Sequence, residues 1–524
     1  MDKVQEILER ARKGAISEEE CELLKTLAES YLTMTEAVRS KQVSMGRLRG
    51  MLFGNKSEKA TQVLGDEASR DGTSGDKKTV SGRKKPKGHG RNGAKEYTGA
   101  KTVTCPHGTL KPGDECPKCK KGKVYPLPDP GLMIRVTGQA PLAATVYARE
   151  KFRCNLCSKV FTAAAPEGIG DAKYDERSAS MLALLKYGSG LPFHRLQGLQ
   201  GSLGIPLPSS TQWDIVKELA IRIEPIFAEL IRQAAQGEVV HNDDTTMKIL
   251  EYMGKRREQS PESMEECPRV GTFTSGIVST GGTQKIALFF TGQKHAGENL
   301  QDVLKARAAE LDPPIQMCDA LSRNTSPDFE AIVANCLVHG RRKFVEVAGN
   351  FPSETRHVLE VLGGVYKNDA DTKQQGMTPE QRQRFHWEKS RPLMTPLRRW
   401  MRKKIHEREV EPNSGLGEAI VYMDKHWKKL TLFLTVPGAP LDNNVCEAAL
   451  KRAILHRKNS LFYRSQRGAR VGDLFMSLIS TCQYSKANPF EYLTELQKHV
   501  EQATADPQVW MPWNYQQACQ DQAT

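Results

Sequence analysis

Three carboxylates stand in settings that suit divalent-metal chemistry. Val239-Val240-His241-Asn242-Asp243-Asp244-Thr245-Thr246 reads as a strand that closes on adjacent acids. Gln316-Met317-Cys318-Asp319 again ends a strand in Asp, and Asp442-Asn443-Asn444-Val445-Cys446-Glu447 sets a Glu on the first turns of a helix. Hard oxygen ligands of this kind hold Mg2+ (or Mn2+), and a pair of such ions activates an attacking oxygen and stabilises a leaving one in phosphoryl transfer. Any single Asp is more often a cap or turn residue. The shared context of strand end, strand end and helix start makes Asp243, Asp319 and Glu447 a candidate catalytic and metal-binding set.

A second constellation is built from sulfur. Cys116-Pro117-Lys118-Cys119 and Cys154-Asn155-Leu156-Cys157 are CxxC pairs, spaced so that each can give two thiolates to one tetrahedral Zn2+. Four thiolates leave no vertex open to substrate, so Cys116, Cys119, Cys154 and Cys157 would tie a small ribbon together structurally. Cys105 and His107 are extra or competing ligands, and two pairs of incidental thiols are the plain alternative. Cys336 and His339 offer only two ligands, which favours a buried or phosphate-facing histidine over a further metal site.

Basic residues follow the carboxylates. His456-Arg457-Lys458-Asn459-Ser460-Leu461-Phe462-Tyr463-Arg464 and then Arg467 and Arg470 interleave cations with aromatics, a pattern suited to phosphates and unstacked bases beside the active site. Arg341 and Arg342 are further candidate DNA contacts. The chain carries 76 Lys and Arg against 62 Asp and Glu, a formal charge of +14 and a pI near 9.1. That balance favours a polyanionic partner. Neither a run of about 18 apolar residues nor a secretory signal is present, so the expectation is a protein of the cytoplasm that does not enter a membrane.

The elements that must position these groups make a multidomain α+β chain. Residues 1–55 form a helical segment whose heptads (Leu24, Tyr31, Val38, Met45, Leu52) suit either a coiled-coil homo-oligomer or a helix packed on its own chain. Residues 56–100 read as a flexible basic linker, 101–165 as a zinc ribbon, and 166–236 as a helical region. Leu191 to Trp213 has the order of a helix-turn-helix, which also occurs in simple helical packing. Strands are expected at Glu238–Tyr252, Val270–Thr280, Lys285–Thr291 and Ile315–Cys318, with a helix over Gly297–Leu311. They make an α/β core whose first part is 237–343, interrupted by a helical insertion at 344–436 and completed by 437–503, with a tail at 504–524.

The order of several motifs resembles one family. Phe53-Gly54-Asn55-Lys56-Ser57-Glu58-Lys59, Gly88-His89-Gly90-Arg91-Asn92 and the CxxC pairs come first. Cys336-Leu337-Val338-His339-Gly340-Arg341-Arg342-Lys343-Phe344, Ser414-Gly415-Leu416-Gly417-Glu418-Ala419-Ile420, Asp442-Asn443-Asn444 with Glu447, and Arg457-Lys458-Asn459-Ser460-Leu461-Phe462 follow. Over most of its length the chain is similar to transposases of the insertion-sequence-66 family, DDE enzymes with a ribonuclease-H-like core. The first family motif usually reads Asp-Glu-Thr where this chain has Asp243-Asp244-Thr245. The second usually continues Gly-Tyr where Asp319 precedes Ala320-Leu321.

The resemblance implies a bacterial, nucleoid-associated enzyme that binds the ends of its element. Asp243, Asp319 and Glu447 would be its catalytic carboxylates, and the freed 3'-hydroxyl would attack target DNA. Accessory proteins of the same element are implied by the resemblance alone. Two other functions remain on the sequence: a decayed transposase acting as a DNA-binding repressor, and a structure-specific nuclease on the same core.

Overall fold

The structure, a computed structural model, describes residues 109–523 apart from 126, 128–138, 154, 156–159, 165, 168–171, 255–268, 270 and 326–327. The N-terminal heptads, the basic linker, Cys105, His107, Cys154 and Cys157 lie outside the described residues. The chain divides into two compact units, Tyr174–Phe193 with Gln212–Thr524, and Gly72–Lys173 with His194–Thr211.

A short antiparallel hairpin comes first, β1 (Lys151–Arg153) with β2 (Val160–Thr162). Helices α1 (Glu176–Ala183), α2 (Phe193–Ser202), α3 (Ser209–Arg222) and α4 (Glu224–Ala234) follow, with Gly204 at φ 74° between α2 and α3. The main sheet takes β3 (Val239–Thr246), β4 (Phe273–Gly281) and β5 (Gln284–Gly292), then, after α5 (Ala296–Leu304), β6 (Ile315–Cys318) and β7 (Ile332–Asn335). A helical block runs α6 (Leu337–Val347), α7 (Pro352–Gln374), α8 (Pro379–Lys389), α9 (Arg391–His406), α10 (Gly415–Lys425) and α11 (Trp427–Leu430). The chain closes with α12 (Asn444–Ser460), α13 (Gln466–Tyr484), α14 (Pro489–Lys498), α15 (Val500–Ala505) and α16 (Tyr515–Ala523).

The five strands lie in the order β5-β4-β3-β6-β7. The first three form an antiparallel meander, and β6 and β7 run parallel to β3, so β3 is central. Central strands are buried on both faces, and in β4 the run Thr274 to Thr280 carries the fully buried Ile277 and Val278. β3 ends sooner than its pattern suggests. After Thr246 the chain turns away: Met247 N donates to Thr272 O, Leu250 N donates to Tyr463 O, and Leu250–Tyr252 is a short 3-10 turn.

Helix α13 closes the outer edge of β5 with side chains. Ala287 N donates to Thr481 Oγ1, Phe289 N to Ser477 Oγ, and Thr291 N to Asp473 Oδ2. The match is geometric, because four helical residues rise about 6 Å and two strand residues about 6.6 Å. The helical block is not an independent body. Val358, Leu362, Met394, Leu397, Met401 and Met423 share one apolar core with Met317 of β6 and Ala334 of β7. The stretch beyond 503, expected as a tail, is docked: Trp510 is buried and its carbonyl accepts from Tyr492 Oη at 3.0 Å.

Candidate active site

Alternation along β3 sends His241, Asp243 and Thr245 to one face and Asn242, Asp244 and Thr246 to the other. The first face meets α12: His241 Nδ1 lies 3.1 Å from Asn443 Oδ1, and Arg457 donates to Thr245 Oγ1 at 3.0 Å. Asp243 pairs in register with Gly276 of β4. A Cβ at Gly276 would sit 2.8 Å from Leu450 Cδ2, so the bare backbone there lets α12 settle close to the sheet. Cys446 Sγ then reaches Gly276 O at 3.2 Å, and Glu447 is the next residue of the helix.

Asp319 is the first residue beyond β6. Its Oδ1 accepts from Leu321 N at 3.1 Å and from Asn324 Nδ2, and its carbonyl accepts from Asn335 Nδ2 at 3.3 Å. The loop that supplies Asn324 is pressed on α5, where a Cβ at Gly297 would meet Thr325 O at 2.8 Å. Asn242 and Gln316 both donate to Asn324 O, at 2.8 and 2.7 Å, which anchors this loop to β3 and β6.

Glu447 is set by Asn443, which is fully buried. Asn443 Nδ2 donates to Asn242 O at 3.0 Å, its main-chain N–H points to Cys336 Sγ at 3.3 Å, and its carbonyl accepts from Glu447 N at 3.1 Å. In the sequence Asn443 stands only as one member of a motif; a buried Asn at a helix start opposite a central strand is the signal that points to it.

Asp243 feels the neighbouring acids. Burial pushes the Asp243 carboxyl up to about 6, and the negative charges of Asp319, Asp244 and Glu447 push in the same direction against the hydrogen bond from Asp244 N. Burial also pulls His241 down to about 4, so at neutral pH its ring is uncharged. A donor set of two Asp and one Glu offers the hard oxygen ligands that suit a divalent cation.

Asp244, adjacent to Asp243, points the other way and has a structural task. It accepts from Ser275 Oγ at 2.7 Å and from Ala296 N at 3.1 Å, with His295 Nδ1 at 3.0 Å, at the start of α5. An anion there complements the helix N-terminus. A cleft of about 230 Å³ beside Asp319 is lined by His339, Arg342, Lys343 and Tyr422. Side-chain ligand atoms of Cys336, His339 and Glu447 lie within 4.8 Å of one another.

The basic residues are not equivalent. Arg457 is engaged with Thr245 Oγ1 and, at 2.5 Å, with Thr246 O, which fastens α12 to the end of β3. Lys458, Arg464, Arg467 and Arg470 are exposed, whereas Arg341 and Arg342 are half-buried on α6. At 1.5 Å per residue, Ser460 at the end of α12 stands about 20 Å along the axis from Glu447. Arg464 follows the turn after α12, and Arg467 and Arg470 stand on the first turns of α13.

In the other unit, Cys116 and Cys119 form a tight knuckle closed by the bridge of Glu115 with Lys123. Cys116 N donates to Gly122 O at 2.7 Å, and Lys120 adopts φ 52°. Backbone N–H groups of Lys121 and Gly122, then the Cys116 side chain, hold the Cys119 thiol below its ordinary value. That electrostatic setting favours a thiolate ligand.

The family model described as Transposase IS66 family matches residues 172–471, which includes Asp243, Asp319 and Glu447. Among curated proteins, the uncharacterized protein y4hP of Sinorhizobium fredii is 26% identical, over 71% of this chain and 68% of its own length. The uncharacterized protein y4jD of the same organism is 24% identical, over 70% of this chain and 71% of its own. No helix among the described residues is long and apolar enough to cross a membrane. With a match that spans the sheet, the helical block and all three carboxylates, the chain belongs to the Transposase IS66 family.

Proposed function

We propose that this chain is a DNA transposase that cleaves and joins strands at the ends of its insertion sequence, using Asp243, Asp319 and Glu447 on a ribonuclease-H-like core. The reading is supported by where the three acids stand: Asp243 on the central strand β3, Asp319 just beyond the neighbouring β6 and Glu447 on the first turn of α12, with the charges of Asp319 and Glu447 adding to the burial that raises the Asp243 carboxyl. The strand order β5-β4-β3-β6-β7, with an antiparallel meander and two parallel additions, supports that core.

The carboxylates would hold two Mg2+ (or Mn2+) ions, which when bound activate water or a 3'-hydroxyl and stabilise the leaving oxygen. The protein's part is positioning. Asn443 orients Glu447, Asn324 and Leu321 N orient Asp319, and the close packing over Gly276 brings the two sides together. Lys458, Arg464, Arg467 and Arg470, all exposed, would grip DNA phosphates. Cys116 and Cys119, with Cys154 and Cys157, would hold a structural Zn2+.

The test is purified chain with DNA carrying the element's own ends. Mg2+-dependent cleavage and joining is expected, with both lost in Asp243→Ala and Glu447→Ala. Activity that survives both substitutions would overturn the reading.

A further inference from the structure

His339 enters the site from α6, an element that contributes none of the three carboxylates. Helix α6 begins immediately after β7, and its third residue, His339, lines the cleft that contains Asp319. A ring nitrogen of His339 also lies within 4.8 Å of a carboxylate oxygen of Glu447. His339 Nδ1 is buried with no hydrogen-bond partner. A buried imidazole nitrogen without a partner is costly, and beside carboxylates a bound cation is the partner that would satisfy it.

Cys336 completes the cluster in space but not in chemistry. Its sulfur already accepts from Asn443 N at 3.3 Å, so it acts as a buried anchor for the start of α12. The imidazole is the group left to coordinate.

We infer that His339 is a further ligand of the metal held by Glu447, so that the centre is built from Asp243, Asp319, Glu447 and His339. The inference rests on the metal-dependent reading above. Its consequence is a change in ion preference. Imidazole binds Mn2+ and later transition ions better than it binds Mg2+, whereas carboxylates serve both. Losing His339 should therefore weaken Mn2+ about tenfold and Mg2+ by less.

The experiment uses the untagged, zinc-loaded full chain with one equivalent of Mn2+, read by electron spin-echo modulation and by Mn2+ titration. Wild type should show nitrogen modulation from a directly bound ring. His339→Gln should retain bound Mn2+ at reduced affinity and lose that modulation, while Cys336→Ser keeps it. Circular dichroism and melting of each variant separate misfolding from ligand loss, and His339→Asn gives a second substitution if Gln does not fold. Wild-type Mn2+ that shows no nitrogen modulation, although Asp243→Asn and Glu447→Gln abolish its binding, overturns the role of His339 and leaves the carboxylate centre standing. Mn2+ binding that is indifferent to Asp243→Asn and Glu447→Gln would instead overturn the metal-dependent reading itself.

Discussion

Asn443 Nδ2 donates to the main-chain carbonyl of Asn242 at 3.0 Å, and Asn443 Oδ1 faces His241 Nδ1 at 3.1 Å, so one buried amide joins the start of α12 to the central strand. Removing it leaves buried polar groups unpaired, at a cost of about 1–3 kcal/mol. Asn443→Ala should therefore lower stability in urea by that amount. Because Glu447 loses its reference point, strand cleavage should fall about a hundredfold while DNA affinity stays nearly unchanged. A loss of affinity as large as the loss of cleavage would show that Asn443 does something else.

Gly276 and Leu450 make a paired prediction. Gly276→Ala places a methyl group 2.8 Å from Leu450 Cδ2 and should push α12 off the sheet. Overpacking of this kind costs about 1–3 kcal/mol. Trimming the opposing side chain in Gly276→Ala/Leu450→Ala should recover cleavage beyond the sum of the single effects, a coupling that a double-mutant cycle reads directly.

Asp243 predicts a conflict between stability and activity. Its carboxyl is raised from 3.8 to about 6 in the folded chain. The stability it contributes is thus complete below the lower value and lost as pH rises through the higher one. In metal-free protein at pH 7, Asp243→Asn should raise the unfolding free energy by on the order of 1–3 kcal/mol. Melting curves with and without Mg2+ check this: the ion should stabilise wild type and do little for the variant.

How much of this could be read from the chain depended on the length and singleness of each signal. Ile315–Cys318 was expected as a strand and is one: Ile315, Met317 and Cys318 make a short, largely apolar run between Pro314 and Asp319. The strand Ile332–Asn335 is not visible in the pattern, since four residues running straight into Cys336 and α6 read as part of the histidine-containing motif. Asp243 and Asp244 look equivalent in sequence; only strand alternation and the capped start of α5 separate them. His339 is legible as a residue but not as a neighbour of Glu447, because more than a hundred positions and the whole helical block lie between them. In α13, Asp473, Ser477 and Thr481 look like interruptions of an apolar helix, and their purpose emerges only opposite β5.

Asp473 gives a pH signature of its own. Burial raises its carboxyl from 3.8 to about 8, against the hydrogen bonds from Thr291 N and Oγ1. Its contribution to stability is complete below pH 3.8 and lost as pH climbs through about 8. Wild-type unfolding free energy should fall over that interval relative to Asp473→Asn, whose side chain stays neutral. Parallel pH profiles for the two proteins would contradict the assignment.

The exposed cations at the end of α12 and beyond it should be visible in salt dependence. Each phosphate that is no longer neutralised reduces the slope of log affinity against log salt by about 0.9. Lys458→Ala, Arg464→Ala and Arg467→Ala should each flatten the slope by about that much on any duplex, with little change in sequence preference. Arg457→Ala should act differently, lowering the melting temperature, because its guanidinium is bonded to Thr245 and Thr246.

The side-chain ladder along β5 also limits how copies of this chain can associate. An open strand edge is a template on which a second sheet can grow, and here the outward N–H groups of Ala287, Phe289 and Thr291 are already taken. Copies of this chain therefore cannot associate by continuing the sheet across the β5 edge.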